Sequence, residues 1–192
     1  MYKIAITGKA NSGKDTVGKI ISKFYNNDPN IIYGGYTQKI ALANPVKEMA
    51  RIMYPDLPKK LFYGPSALRM TEIPGSLKDG KPLTVRQLLI DIGTNLGRKY
   101  DEKLWLNVFD HTLDYYNKRG CGLLIVTDVR FRNEFDHIKN KGFFTIRLVR
   151  NDYTKIDNVS ETDQDGITDS EFDYVLNNIN QRLTHKKLVN LC

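Results

Sequence analysis

The chain has 192 residues, of which 41% are hydrophobic and 27% charged, a composition typical of an ordinary globular protein. Two cysteines, Cys121 and Cys192, exclude a disulfide framework and a thiolate metal cluster, and the three histidines show no ligand spacing. The formal net charge is +7, with lysines and arginines spread along the chain in runs no longer than a pair. This charge indicates either a solubilising surface or an enzyme that handles anionic small molecules, and nucleic-acid binding is not expected.

No apolar run approaches the roughly 20 residues of a membrane span. The first residues, MYKIAIT, form a strand-like run and not a signal peptide, so we expect a cytoplasmic protein that does not bind membranes.

The apolar pattern predicts strands that alternate with helices along the chain. The predicted strands are residues 2–7, 36–41, 122–127, 143–149 and 174–178. Helices are predicted at residues 13–25, from Pro45 onward, at 132–140 and at 181–191. Residues 54–82 hold five prolines and three glycines and are interpreted as loop-rich, whereas 83–116 is predicted to be helical with breaks near Gly93 and Gly97. This alternation predicts a three-layer α/β fold with a parallel sheet of about five strands.

The strongest motif is the segment GKANSGKDT, residues 8–16, between the first strand and the first helix. Two glycines five residues apart, followed by a lysine, fit the phosphate-binding loop, or P-loop. Such glycines let successive N–H groups point at phosphate oxygens, and the lysine reaches the β- and γ-phosphates. The motif predicts ATP and phosphate binding by Gly8, Ala10, Asn11, Ser12, Gly13, Lys14, Asp15 and Thr16.

Position 15 departs from the motif, because Asp15 stands where a Ser or Thr hydroxyl usually binds Mg²⁺. A carboxylate beside a triphosphate is repulsive unless a cation or a basic side chain lies between them. We therefore expect Asp15 either to hold the metal, directly or through water, or to pair with a nearby basic residue. Thr16 lies one position late for the usual hydroxyl role.

Asp128 follows the apolar run 122–127, where the second acidic residue of a P-loop enzyme stands. There it can organise the waters of Mg²⁺ or receive a proton near the transferred phosphoryl group. Arg130 and Arg132 come next and are expected to face the same crevice as the loop. The alternative for this Asp-x-Arg pair is a surface ion pair.

The segment SGKDT, residues 12–16, resembles the P-loop of the bacteriophage deoxynucleoside monophosphate kinases, which also carry Asp after the lysine. Three further blocks resemble these enzymes in the same order: VRQLLIDIGTNLGRKYDEKLWLNVF at 85–109, IVTDVRFRNEFDHI at 125–138 and VSETDQDGITDSEFDYVLNN at 159–178. Animal-type phosphomevalonate kinases share part of this pattern. The segment at 85–109, with Gly93-Thr94 and Trp105, favours the nucleotide kinases.

The resemblance implies a single P-loop kinase domain over residues 1–192, with an acceptor-binding region at about 36–118 and a lid at about 151–168. The implied reaction moves the γ-phosphate of ATP, with Mg²⁺, onto a deoxynucleoside 5′-monophosphate for DNA synthesis. A chain of phage origin would do this in the host cell cytoplasm.

The resemblance also assigns roles to individual residues. The implied catalytic residues are Lys14, Asp128 and Arg130, and the implied metal residues are Asp15 and Asp128. Acceptor binding is implied for Lys39, Arg86, Gln87, Gly93, Thr94, Arg130 and Arg132. Arg150, Ser160 and Glu161 are implied in the lid, and Asn177 near the adenine.

Two other functions stay open on the sequence. One is phosphomevalonate kinase or another P-loop kinase of small acceptors. The other is a non-catalytic module that binds nucleotide or nucleic acid. The oligomeric state is also open, with a homodimer as one option.

Overall fold

The structure is a computed structural model, and it describes residues 1–9, 12–29, 35–149 and 166–177. Its strands are β1 (Tyr2–Thr7), β2 (Tyr36–Ile40), β3 (Glu72–Lys78), β4 (Lys81–Thr84), β5 (Cys121–Val126), β6 (Phe144–Val149) and β7 (Tyr174–Asn177). Its α-helices are α1 (Lys14–Asn27), α2 (Asn44–Met53), α3 (Lys60–Tyr63), α4 (Val85–Ile90), α5 (Leu104–Lys118) and α6 (Arg132–Asn140). A π-helix spans Asp91–Arg98, and 3₁₀ turns span Ser66–Met70 and Asp169–Glu171.

The chain divides into two compact units. The sheet unit comprises Met1–Ala41 and Leu113–Cys192, and the inserted unit comprises Leu42–Thr112. The inserted unit lies within the range of 36–118 that the sequence predicts for acceptor binding.

A five-stranded parallel sheet forms the centre of the sheet unit, in the order β2-β5-β1-β6-β7. The predicted α/β fold with a parallel sheet is therefore confirmed. All six residues of β5 are buried, as its unbroken apolar sequence predicts. Because Ala5 in β1 is level with Val126 in β5, the segments that follow these two strands leave the sheet side by side.

Helix α1 packs against this sheet through one apolar face. Val17, Ile21 and Tyr25 are buried and share a cluster with six residues of the strands: Ile6, Leu123, Ile125, Ile146, Leu148 and Leu176. Burying one such aliphatic side chain stabilises the fold by roughly 1.5–3 kcal/mol. The helical spacing of these residues explains why the sequence predicts α1 correctly.

The inserted unit has a core of its own, in which helices and a β-hairpin take part. Helix α2 begins with Pro45 in its first turn, as predicted. The loop-rich interpretation of 54–82 is wrong for its last part, since β3 and β4 pair there as an antiparallel hairpin. Asp79 and Gly80 form the turn with φ of 51° and 73°. An Asp-Gly pair is a strong hairpin signal, because both turn residues need positive φ.

The predicted helix break near Gly93 and Gly97 is also wrong. The chain continues from α4 through a π-helix that contains both glycines, and the interruption lies between Arg98 and Leu104. Trp105 explains both glycines. Its indole Nε1 donates to the Gly93 carbonyl at 2.8 Å, and a Cβ at Gly97 would lie 2.4 Å from the indole ring. The side chain of Trp105 is buried in the core of the inserted unit, as its apolar neighbours indicate.

The remaining predicted elements of the sheet unit are confirmed where they are described. Helix α6 and strands β2, β6 and β7 lie within a residue or two of their predicted ranges. The helix predicted at 181–191 lies outside the described residues. Within the part of the chain that the structure describes, no helix is long and apolar enough to span a membrane.

Asp173 connects the start of β7 to β6, and it makes the stability of the sheet unit depend on pH. Its carboxylate accepts hydrogen bonds from the backbone N–H and the hydroxyl of Thr145, each at 2.7 Å. Partial burial raises the pKa of Asp173, but these bonds outweigh it, and its pKa lies below the ordinary value. The stabilisation is therefore complete above the unfolded pKa of about 3.9 and is lost as the pH falls through the lower folded pKa.

We expect Asp173→Ala to lower the free energy of unfolding at pH 7 by about 1–2 kcal/mol, because the buried N–H of Thr145 loses its acceptor. Denaturant titrations between pH 7 and pH 3 should show the difference from the wild type shrinking towards the acid end. Asp114→Ala, at an exposed position of α5, is the control and should behave like the wild type. A difference that stays constant with pH would contradict this account.

Candidate functional site

The loop after β1 depends on its two glycines. Gly8 has φ +148°, and a Cβ there would lie 2.5 Å from the carbonyl oxygen of Leu148. Gly13 has φ +98° and is the N-cap of α1. Both positions therefore favour glycine for reasons of backbone conformation, and Gly8 also for reasons of space. Strand β1 ends at Thr7 and helix α1 begins at Lys14, in the order that the P-loop motif predicts.

Lys14 is folded back over this loop. Its Nζ donates to the carbonyls of Gly8 and Lys9 at 2.5 and 2.7 Å, and the N–H of Ser12 also donates to Lys9 at 3.2 Å. The ammonium charge is thus held over the loop, at the first turn of α1, where a helix also attracts anions. Ala10 and Asn11 lie outside the described residues.

Asp15, the residue that departs from the motif, has a basic partner. Its Oδ1 accepts hydrogen bonds from the ammonium of Lys39 in β2 and from the hydroxyl of Thr127 at 3.0 Å. Partial burial raises the pKa of Asp15, but Lys39, Thr127 and the charge of Lys14 outweigh it, so that its pKa lies below the ordinary value. Asp15 is therefore an anion at neutral pH. Of the alternatives weighed on the sequence, pairing with a basic residue is present in the structure.

The ion pair with Asp15 also concerns the role of Lys39, for which the resemblance implies acceptor binding. The structure brings Lys39 to the P-loop helix, where it neutralises Asp15. A role in acceptor binding stays a prediction for this residue.

The turn after β5 carries Asp128 and Arg130, both partly buried. A buried carboxylate, that of Glu134 in α6, fixes the backbone of this turn. It accepts from the N–H groups of Arg130 at 2.8 Å and Phe131 at 3.1 Å, with 6% of the residue exposed. These N–H groups lie just before the first turn of α6. Glu134 therefore caps its own helix, because its side chain reaches back and accepts from the N–H of the N-cap residue, as in a capping box.

Two further arginines of the sheet unit pair with carboxylates. Arg132 contacts Asp136 at 3.0 Å and Glu171 at 2.6 Å. Arg147 pairs with Asp169 at 3.1 Å and donates to the carbonyl of Ile167. These pairs connect the strands and α6 to the segment before β7. An acceptor-binding role of Arg132 stays a prediction.

The acceptor residues predicted in the inserted unit lie along α4 and the π-helix. The Nε of Arg86 is buried and has no hydrogen-bond partner among the described residues. Gln87 donates from its amide to Asp91 at 3.1 Å, and Asp91 also accepts from Lys78 and from Asn95 at 2.7 Å. Because Asp91 only accepts, it fixes the orientation of the Gln87 amide, with the nitrogen towards the carboxylate.

Fewer contacts are described for the remaining residues that the resemblance implies in substrate binding. Thr94 is exposed on the π-helix, and Gly93 gives its carbonyl to Trp105. In the sheet unit, Asn177 is exposed at the end of β7. Arg150, Ser160 and Glu161 lie outside the described residues.

The carboxylate of Asp15 fits the way Mg²⁺ binds with a nucleotide. The described residues hold no group of three or more His, Cys, Asp or Glu that could bind a metal by themselves. Mg²⁺ in a nucleotide site needs no such cage, since one or two carboxylates, the phosphates and water complete its shell. Asp15 offers one such carboxylate, because its side chain is 72% exposed.

Two residues of this site were not found by sequence reasoning. Thr127, which contacts Asp15, lies within the predicted strand 122–127, where it looks like one more buried β-branched residue. Glu134 does have a sequence signal, because an acidic residue three positions after a helix N-cap is typical of a capping box. The signal of Thr127 is only its position beside Asp128.

A parallel α/β sheet whose central strand ends in a glycine–lysine loop is the architecture of the P-loop kinases. The model of the deoxynucleotide monophosphate kinase family matches residues 68–187, more than half of the chain. The chain therefore belongs to the deoxynucleotide monophosphate kinase family.

The chain is also similar to a viral protein and, more distantly, to a solved structure. A protein of Acanthamoeba polyphaga mimivirus, provisionally described as a deoxynucleotide monophosphate kinase, is 28% identical over 159 residues, which cover 78% of this chain and 75% of the relative. The crystal structure of an unliganded sugar kinase from Janibacter sp. HTCC2649 superposes with a TM-score of 0.45 and 13% identity, covering 100% of this chain and 91% of the other. That similarity is too low to bear on function.

The cap made by Glu134 can be tested by substitution. We expect Glu134→Ala to destabilise the protein by about 2 kcal/mol, because two N–H groups lose a buried acceptor. Glu134→Gln keeps an oxygen at the same place and should cost less than half as much. Denaturant unfolding of both variants measures the difference, and equal losses would show that the carboxyl oxygens are not what stabilises the turn.

Proposed function

We propose that this protein transfers the γ-phosphate of ATP to the 5′-phosphate of a deoxynucleoside monophosphate, and so supplies diphosphates for DNA synthesis. Membership of the deoxynucleotide monophosphate kinase family is the observation that carries the proposal. The geometry of the P-loop supports the donor half of the reaction, since Lys14 lies over a glycine loop at a helix N-terminus.

On the donor side, the backbone N–H groups of residues 8–16 hold the β- and γ-phosphates, and Lys14 exchanges its contacts with two carbonyls for contacts with phosphate oxygens. The family resemblance adds Asn177 near the adenine. Mg²⁺, when bound, neutralises charge on the β- and γ-oxygens. Asp15 and Asp128 are the residues proposed to hold it.

On the acceptor side, Arg130 and Arg86 orient the acceptor phosphate for in-line attack. Phosphoryl transfer depends mainly on such positioning and on charge neutralisation. The attacking phosphate oxygen is already ionised near neutral pH, so a strong general base is not required. Arg130 and Arg86 each have a planar guanidinium, which can donate two parallel hydrogen bonds to a phosphate.

Other proposed contacts complete the acceptor site and its cover. Gln87, Gly93 and Thr94 are proposed at the base, and Lys39 and Arg132 are further candidates for the phosphate. Closure of residues 151–168, with Arg150, Ser160 and Glu161, is proposed to exclude water and so to suppress hydrolysis of ATP.

The family match favours a nucleotide over phosphomevalonate as the acceptor. The amide of Gln87 and the hydroxyl of Thr94 also favour a nucleotide, because both groups can form hydrogen bonds with the edge of a base. A short isoprenoid alcohol offers no such edge to these two groups.

Lys14→Ala tests the donor half. Lys14 is proposed to follow the charge that develops on the β–γ bridge, so we expect kcat/KM to fall by about 10²-fold or more. The control is Lys19→Ala, which removes an exposed lysine from the same helix and should leave turnover unchanged. A folded Lys14→Ala protein with near-wild-type turnover would refute the assignment of the P-loop.

A panel of acceptors tests the other half. A deoxynucleoside monophosphate that binds should raise the melting temperature by linkage and accelerate ATP consumption, and phosphomevalonate at equal concentration should do neither. Gln87→Ala should weaken the response for some bases more than for others, whereas Asn107→Ala, an exposed amide in the same unit, should not. If phosphomevalonate is phosphorylated and no nucleotide is, the proposed acceptor is wrong, and only the proposal of a P-loop kinase remains.

A further inference from the structure

The hydroxyl of Thr127 lies in an unusual place for a P-loop. In the common motif the residue after the lysine supplies a hydroxyl to the metal, and here that residue is Asp15. The hydroxyl that contacts position 15 comes instead from another part of the chain, since Thr127 Oγ1 donates to Asp15 Oδ1 at 3.0 Å. Thr127 is only 5% exposed, so its side chain is held in place by its surroundings.

The close approach of α1 to Thr127 depends on a glycine. A Cβ at Gly18 would lie 3.2 Å from the Thr127 Cγ2 and 3.5 Å from the Ile125 Cγ2. Gly18 is one turn after Lys14. Because it has no side chain, the first turn of α1 packs closely against the end of β5. The methyl group of Thr127 therefore packs on the helix while its hydroxyl meets the carboxylate of Asp15.

The two donors to Asp15 use the same oxygen. Lys39 and Thr127 both donate to Oδ1, and among the described residues no donor contacts Oδ2. A carboxylate held by one oxygen has its rotamer fixed and keeps the second oxygen for another ligand. The side chain of Lys39 is 43% exposed, whereas Thr127 is buried.

We propose that Thr127 is a positioning residue, which fixes the carboxylate of Asp15 so that its second oxygen meets the divalent cation of the nucleotide complex. Thr127 and Asp15 together then replace the single Ser or Thr of the common motif. Thr127 itself contacts neither the nucleotide nor the metal. This inference rests on the proposed function, because it assumes that the loop binds a metal–nucleotide complex.

Two substitutions separate the hydroxyl from the packing. Thr127→Val keeps the shape and the methyl that packs on Gly18 but removes the hydroxyl. Thr127→Ser keeps the hydroxyl and removes the methyl. If Thr127 acts only through packing, Ser should be the more harmful change, whereas positioning of Asp15 predicts the reverse.

The measurement is the affinity for a non-hydrolysable ATP analogue by calorimetry, with Mg²⁺ and with EDTA. We expect Thr127→Val to reduce the gain in affinity that Mg²⁺ provides by about 10-fold, as the loss of an outer partner of a metal ligand does. Affinity in EDTA should not change, and Thr127→Ser should resemble the wild type. The free Mg²⁺ concentration for half-maximal turnover should rise in parallel in Thr127→Val.

Three outcomes overturn the inference, and a fourth overturns only the proposed function. An unchanged Mg²⁺ gain in Thr127→Val would show that Asp15 needs no positioning, and a larger loss in Thr127→Ser than in Thr127→Val would assign Thr127 to packing alone. A wild type that binds the analogue with a normal Mg²⁺ gain but transfers no phosphate would refute the proposed function and leave this inference standing. A wild type whose affinity does not respond to Mg²⁺ would refute the inference directly.

Discussion

The parallel pairing of β1 with β5 is the constraint on which the rest of the site depends. Parallel strands end at the same edge of a sheet, so the P-loop after β1 and the turn after β5 leave the sheet together. β2 pairs with the other side of β5 and brings Lys39 to the same edge. Three neighbouring strands thus supply the groups around Asp15, although they are far apart in sequence.

The second constraint is electrostatic. An unpaired carboxylate at position 15 would repel a triphosphate bound in the adjoining loop. The ion pair with Lys39 neutralises this carboxylate in the unbound protein. A divalent cation would remove the repulsion in the complex and at the same time make Asp15 an attractive ligand. An aspartate in this loop is therefore compatible with phosphate binding only when other groups contact its carboxylate. In the structure these groups are Lys39 of β2 and Thr127, which follows β5.

Most of the sheet unit could be predicted from the sequence, because its strands and helices carry strong local patterns. The apolar run of β5 and the spacing of Val17 and Ile21 in α1 are examples. The inserted unit was harder. Its hairpin has a bulge around Pro74-Gly75 that breaks strand alternation, and the glycines of the π-helix look like helix ends until Trp105 is packed against them.

The site was predictable where chemistry follows from local sequence and not where it follows from tertiary contact. Gly8, Gly13 and Lys14 belong to one motif and were found together. The partners of Asp15 were not, because Lys39 is 24 and Thr127 is 112 positions away along the chain. Only the strand order brings them near, and a single sequence does not reveal strand order.

The contact between Trp105 and the π-helix gives the inserted unit a tryptophan fluorescence signal of its own. Trp105 is the sole tryptophan of the sequence, and it is buried against Gly97 in the inserted unit. Its emission spectrum therefore reports the packing of residues 42–112, while far-UV circular dichroism reports helices and strands of both units. Following the two signals in one denaturation experiment would reveal whether the inserted unit melts with the sheet unit or before it, without any added label.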